Sequence, residues 1–260
     1  MLNLSNFISN GSNVIFLEKI VPLTILYTII LLLYIFKEKL NESTIVANYF
    51  LNLAGVIMGV LLVCDLVIRW RDGINIDNLL LDFLTINITL TVLFIFTKIK
   101  YIFNLIIFSG VIGGMIGMFI NFEYSINHIQ YYYYYLGNIF IIIVPLIIFV
   151  VQDLKPNLKE TLLSFVTIQV FSILMVFINN LANTNYFYLV IDEVPKQLQF
   201  LTDTFGDLYL IIIDIILTGL IFIWYVLLKS FKVRTNIPTH VTSTNSAYIS
   251  KKKNDRFSSN

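Results

Sequence analysis

Thiols and imidazoles are nearly absent from this sequence. Cys64 is the only cysteine, so one chain cannot form an internal disulfide, a Cys-x-x-Cys pair or a thiolate cluster for zinc or iron. The two histidines, His128 and His240, are expected in an outer loop and an inner tail, and side chains so separated cannot share a metal ion. Charge is scarce as well. Only 13% of residues are charged and the net charge is +1, which excludes nucleic acid as a partner for the body of the protein. The last apolar run, Ile211 to Leu228, contains no lysine for a retinal Schiff base. There is no P-loop and no dinucleotide fingerprint, because the glycines Gly110, Gly113, Gly114 and Gly117 lie inside an apolar helical run rather than after a strand. Asp65 follows Cys64, but consecutive helical residues face different ways and no histidine base is at hand, so Cys64 reads as a packed thiol. These absences lead us to expect no cofactor, no metal site and no catalytic residue, and to lean away from an enzyme.

What the chain does have is apolar surface. Hydrophobic residues make up 58% and aromatic residues 15%, more than one soluble core of this size uses, so the excess faces lipid. Predominantly apolar runs fall at about Val14 to Phe36, Thr44 to Trp70, Asn78 to Phe96, Tyr101 to Phe122, Tyr131 to Val151, Thr161 to Leu181 and Asp207 to Leu228. At 1.5 Å per residue they reach ~28 to 40 Å, enough to cross a hydrocarbon core of ~30 Å. A barrel would need polar and apolar residues to alternate, and the run Ile139 to Val151 does not. The fold expected is therefore all-α, a polytopic transmembrane helix bundle of about seven spans in the cell membrane, with membrane lipids as its solvent.

Orientation follows from the basic residues. With the C-terminus inside, one side collects Lys37, Lys39, Lys98, Lys100, Lys155, Lys159 and seven basic residues of the tail, against Lys19, Arg69, Arg71 and Lys196 on the other. The N-terminus is thus expected outside and the C-terminus in the cytoplasm. The segments are a short outer stretch 1–13, read as leading into a retained helix rather than a signal peptide, a bundle 14–229 with one long outer loop 182–206, and a basic, disordered tail 230–260.

Ionisable and amide groups inside spans are expensive and usually face a cavity or a partner. Counted at ~1.5 Å per residue from the expected outer helix ends, Asp65 lies ~8 Å in, Asp82 ~9 Å, Asn138 ~10 Å, Asn179 ~4 Å and Asp214 ~12 Å. One layer of the outer half thus gathers them, and Asp82, Thr85 and Thr89 share a face of the third span. Two readings stand: a hydrated pocket open to the outer side, or a structural network of paired groups. The three carboxylates need a proton, a bound cation, or Arg69 and Arg71 reaching down to them. The four glycines of the fourth run are read as a close helix contact, and the block Tyr131 to Tyr135 as an interfacial belt or the mouth of a lipid-accessible cleft.

The string Asn183-Thr184-Asn185-Tyr186-Phe187-Tyr188-Leu189, with Asp214 in the last span, resembles the YwaF-like bacterial integral membrane family. That family carries Gly-Thr-Asn-Tyr-Met-Tyr-Leu after its sixth span and is related to a eukaryotic transmembrane acyltransferase acting on ether phospholipids. The likeness runs from about Asp65 to Leu228. It implies that Asn185 and Tyr186 join Asp65, Asp82, Thr85, Asn138, Asn179 and Asp214 as ligand-pocket candidates. It also implies altered chemistry, because Asp82 and Asn138 stand where the family has histidines and Leu84 where it has a cysteine. The expected function is a non-catalytic or altered relative that binds a lipid or other small amphiphile. The alternative is a small-solute or ion-coupled transporter using Asp65, Asp82 and Asp214.

Overall fold

A computed structural model describes residues 11–71, 81–120, 126–152, 154–190 and 194–231. The tail beyond 231 and the first ten residues lie outside the described residues, as does the start of the third apolar run, 78–80. Among the described residues eight α-helices follow one another: α1 (Gly11–Glu42), α2 (Thr44–Trp70), α3 (Phe83–Thr97), α4 (Lys100–Phe119), α5 (Ile129–Gln152), α6 (Leu158–Ala182), the short α7 (Gln199–Phe205) and α8 (Tyr209–Ser230). Six stretches among the described residues are long and apolar enough to cross a membrane, and α3 is a shorter apolar helix. The bundle of about seven spans stands.

The connections alternate between two ends. Lys100 at the start of α4 pairs with Glu160 at the start of α6, 2.6 Å apart. Lys37 near the end of α1 lies 5.0 Å from the ring of Phe231, which follows α8. At the opposite end the Tyr131 hydroxyl of α5 donates to the Glu18 carbonyl of α1. Lysines 37, 39, 98, 100, 155 and 159 flank the helix ends of the first of these two faces, hereafter the lysine-rich end.

Lipid is as apolar as leucine, so helices in a membrane associate through close packing and hydrogen bonds rather than through water exclusion. α5 is the axis of that packing, in contact with α1, α2, α3 and α4, while α6 and α8 meet the core through α4. The difference shows in burial: 78% of the apolar stretch of α5 is inside the bundle, against 17% for α6 and 11% for the α7–α8 stretch. Glycines let α4 come this close. A Cβ at Gly110 would stand 3.0 Å from the Ile141 carbonyl oxygen, and one at Gly114 2.7 Å from Cγ1 of Ile142. On the other flank, Trp224 of α8 donates its indole N–H to the Ile107 carbonyl of α4 at 2.9 Å.

The Tyr131 to Tyr135 block is not merely a lipid-facing girdle. Tyr132 is exposed, but Tyr131, Tyr133 and Tyr134 send their hydroxyls to α1, α3 and α4. α3 departs most from its apolar run. It begins at Phe83, because the carboxylate of Asp82 accepts the Thr85 backbone N–H at 3.0 Å and so caps the helix. At 15 residues it is ~22 Å long, which recesses it within the ~30 Å core and makes Asp82 a cap rather than a residue inside a span.

Candidate functional site

Arg69 organises the polar layer at the end opposite the lysines. It lies one turn after Asp65 on α2, an i, i+4 spacing that puts both side chains on one face. Its Nε is 2.8 Å from the Asp65 carboxylate, and its Nη2 reaches across to the Asp82 carboxylate, also at 2.8 Å. Two nitrogens of one planar guanidinium thus hold two acids, a geometry that the single ammonium of lysine does not reproduce. Thr85 closes the group: its Oγ1 is 2.7 Å from Asp82, 3.5 Å from Asp65 and 2.7 Å from the Tyr133 hydroxyl of α5. The result is a knot among α2, α3 and α5 in which every charged group has a direct partner. Of the three ways to neutralise these carboxylates, the structure uses Arg69.

The other candidates sit at different interfaces. Asn138 donates to the carbonyl of Tyr134 in its own helix at 2.8 Å, and its amide lies against Gly117, where a Cβ would come within 2.6 Å of Oδ1. Asp214 accepts a short hydrogen bond from Gln169, joining α8 to α6. Asn179 turns to the loop instead. Its Oδ1 accepts from the Tyr186 backbone N–H at 2.8 Å and from the Thr184 hydroxyl at 3.0 Å, while its Nδ2 donates to the Tyr186 carbonyl at 2.9 Å. Asn185 accepts from the Val190 N–H at 3.0 Å. The segment that carries the family-like string is therefore a folded clasp after α6, and Asn179 and Asn185 are what fold it. Asp65, Asp82 and Thr85 come together; Asn138, Asn179 with Asn185 and Tyr186, and Asp214 form three further groups.

The clasp holds an unusual backbone. Phe187 and Tyr188 have φ of 64° and 55°, left-handed values that side chains other than glycine adopt at a cost. What they gain is the placement of the Phe187 ring, edge-on to Phe83 of α3 at 5.3 Å and to Phe171 of α6 at 5.7 Å. The loop thus reaches down beside the start of α3. Asn179→Leu removes three hydrogen bonds at a nearly buried site, for an expected loss of ~2 to 3 kcal/mol. Limited proteolysis in mild detergent checks this, the expected outcome being new cleavage within 183–190 at temperatures where the parent protein resists.

Sequence reasoning missed two partners. Tyr133 lies in a block read as an interfacial belt or the mouth of a cleft rather than as a hydrogen-bonding partner of Thr85, and Gln169 is a mid-span amide that pairs with Asp214. A scan that takes in every amide and carboxylate within the runs finds Gln169. Among the described residues no group of three or more His, Cys, Asp or Glu is placed to hold a metal ion.

No curated protein and no solved structure matches this chain. A family profile does, over residues 12–245, which spans all the helices but the first residue of α1. The chain belongs to the TMEM164 family of transmembrane proteins.

Proposed function

We propose that this protein binds a membrane amphiphile, a phospholipid or fatty acid, and carries out no acyl transfer through the positions at which the YwaF-like family has its histidines and cysteine. All three positions are otherwise engaged. Asp82 caps α3 and pairs with Arg69, the Leu84 side chain lies over Gly137, and Asn138 is bonded to its own helix. None carries a thiol or an imidazole base, which thioester chemistry requires.

The observation that carries amphiphile binding is the Gln169–Asp214 pair. Both side chains are half-buried, on two of the three helices that are least enclosed by the bundle. Around them α6 and α8 present Ile173, Phe177, Ile215 and Phe222, all more than half exposed. A polar pair bordered by lipid-facing apolar surface suits a molecule that enters sideways, its polar end on the amide and carboxylate and its chain along the helices. Ion-coupled transport through Asp65, Asp82 and Asp214 is not favoured, because Arg69 already holds two of the three and Asp214 stands at another interface.

Photoactivatable phosphatidylcholine tests the reading. It is expected to label peptides of α6 and α8 in the parent protein. In the paired variant Gln169→Leu with Asp214→Leu, which leaves no orphaned partner, labelling falls about tenfold, the equivalent of a charged hydrogen bond worth ~1.5 kcal/mol. Undiminished labelling of a variant that melts like the parent defeats the reading.

A further inference from the structure

A second lipid site is suggested at the opposite, lysine-rich end. α1 and α2 are joined by Ser43 alone, and a cleft of about 450 Å³ is lined by residues of both. Its walls are Leu33 and Phe36 of α1 and Val46 and Phe50 of α2. Its floor is closed by Ala47 and by Ile147 of the central helix, which are 1% and 4% exposed. Only Lys39 and Ser43 are polar among the lining residues. Lys39 is exposed at the mouth, whereas Lys37 is turned to the rings of Tyr34 and Phe231.

We propose that this cleft holds one acyl chain of an anionic phospholipid, with its phosphate at Lys39. Shape and lining favour the chain. The lining runs along α1 from Ile29 to Lys39, or ~15 Å, and is apolar up to the ammonium at its mouth, the order in which a phospholipid presents its hydrocarbon chain and its phosphate. Charge selects the headgroup. The one ammonium at the mouth lies on the face that also carries lysines 98, 100, 155 and 159, and an anionic phosphate meets that face with ~1 kcal/mol per nearby lysine. The chain supplies apolar burial and the phosphate supplies selectivity. This site shares no residue with the Gln169–Asp214 pair and stands independently of it.

The experiment offers phosphatidylglycerol and phosphatidylcholine together to the purified full-length protein in detergent, with retained lipid counted by native mass spectrometry. The parent is expected to keep phosphatidylglycerol over phosphatidylcholine by about fivefold, which is ~1 kcal/mol. Lys39→Gln removes the preference but keeps a chain. Val46→Trp, at a position 60% exposed and so tolerant of a larger ring, fills the cleft and loses both lipids without lowering the melting temperature. The Gln169→Leu, Asp214→Leu variant keeps the preference, which separates the two sites. Undiminished selectivity in Lys39→Gln, parent-like retention in Val46→Trp, or a dimer that forms through Val46 with no lipid bound overturns the proposal.

Discussion

Replacing Arg69 by leucine is expected to destabilise the protein by about 3–5 kcal/mol, the largest effect of any single change in this polar layer. The substitution does more than remove two ion pairs. Asp65 is 7% exposed and has no other cation within reach in the knot, so its charge is left in a poorly hydrated site beside that of Asp82. The loss should appear as a collapse in the yield of monodisperse protein from detergent and a much lower melting temperature. Arg69→Lys recovers only part, because one ammonium cannot span both carboxylates as the two guanidinium nitrogens do. Removing the acids together with the arginine is expected to restore most of the stability, since a buried ion cluster replaced whole by neutral groups is often no less stable than the original. A variant series in which Arg69→Leu melts within a degree or two of the parent is incompatible with this account.

Gly113→Val is expected to be nearly as damaging, at ~3 kcal/mol, and for a steric reason. A Cβ at this position would lie 1.9 and 2.0 Å from two ring atoms of Phe83, so the ring must leave. Phe83 is the first residue of α3, next to the Asp82 cap, and its ring also meets Phe187 of the loop clasp. Displacing it strains the cap, the ion knot and the clasp together. Phe83→Ala empties the space that the new side chain needs. The double variant should therefore be more stable than Gly113→Val alone, and thermal melts of the two singles and the double give the coupling directly. Additive losses would mean that Gly113 matters for some reason other than the Phe83 contact.

The sequence made the spans legible because length and apolarity are one-dimensional properties. The run Thr44 to Trp70 coincides with α2, and the glycines of the fourth run mark the close approach to α5. α3 was harder. Leu79, Leu80 and Leu81 extend its apolar run, and hydropathy alone does not register that Asp82 accepts the Thr85 N–H and starts the helix there. Depth was also a poor guide to company. Residues at equal distance from the outer face can point in any direction around their own helix axes, and each step along a helix turns the side chain by ~100°. Arg69 reaching the carboxylates is one of three ways that the sequence leaves open, and the structure has it on Asp65 and Asp82. That Asp82 joins Asp65 and Arg69 while Asn138, Asn179 and Asp214 do not depends on helix rotation and neighbour order, which packing decides.

The central claim is that the Asp65–Arg69–Asp82 knot holds three helices together and is not part of the surface that meets a ligand. The most direct test combines Asp65→Asn, Arg69→Met and Asp82→Asn in one chain and measures both melting temperature and photo-labelling of α6 and α8 by phosphatidylcholine. The account predicts a folded protein, labelled at the parent level. A variant that folds and melts as the parent does, yet has lost its labelling, would contradict it by showing that the charged groups act on the bound molecule.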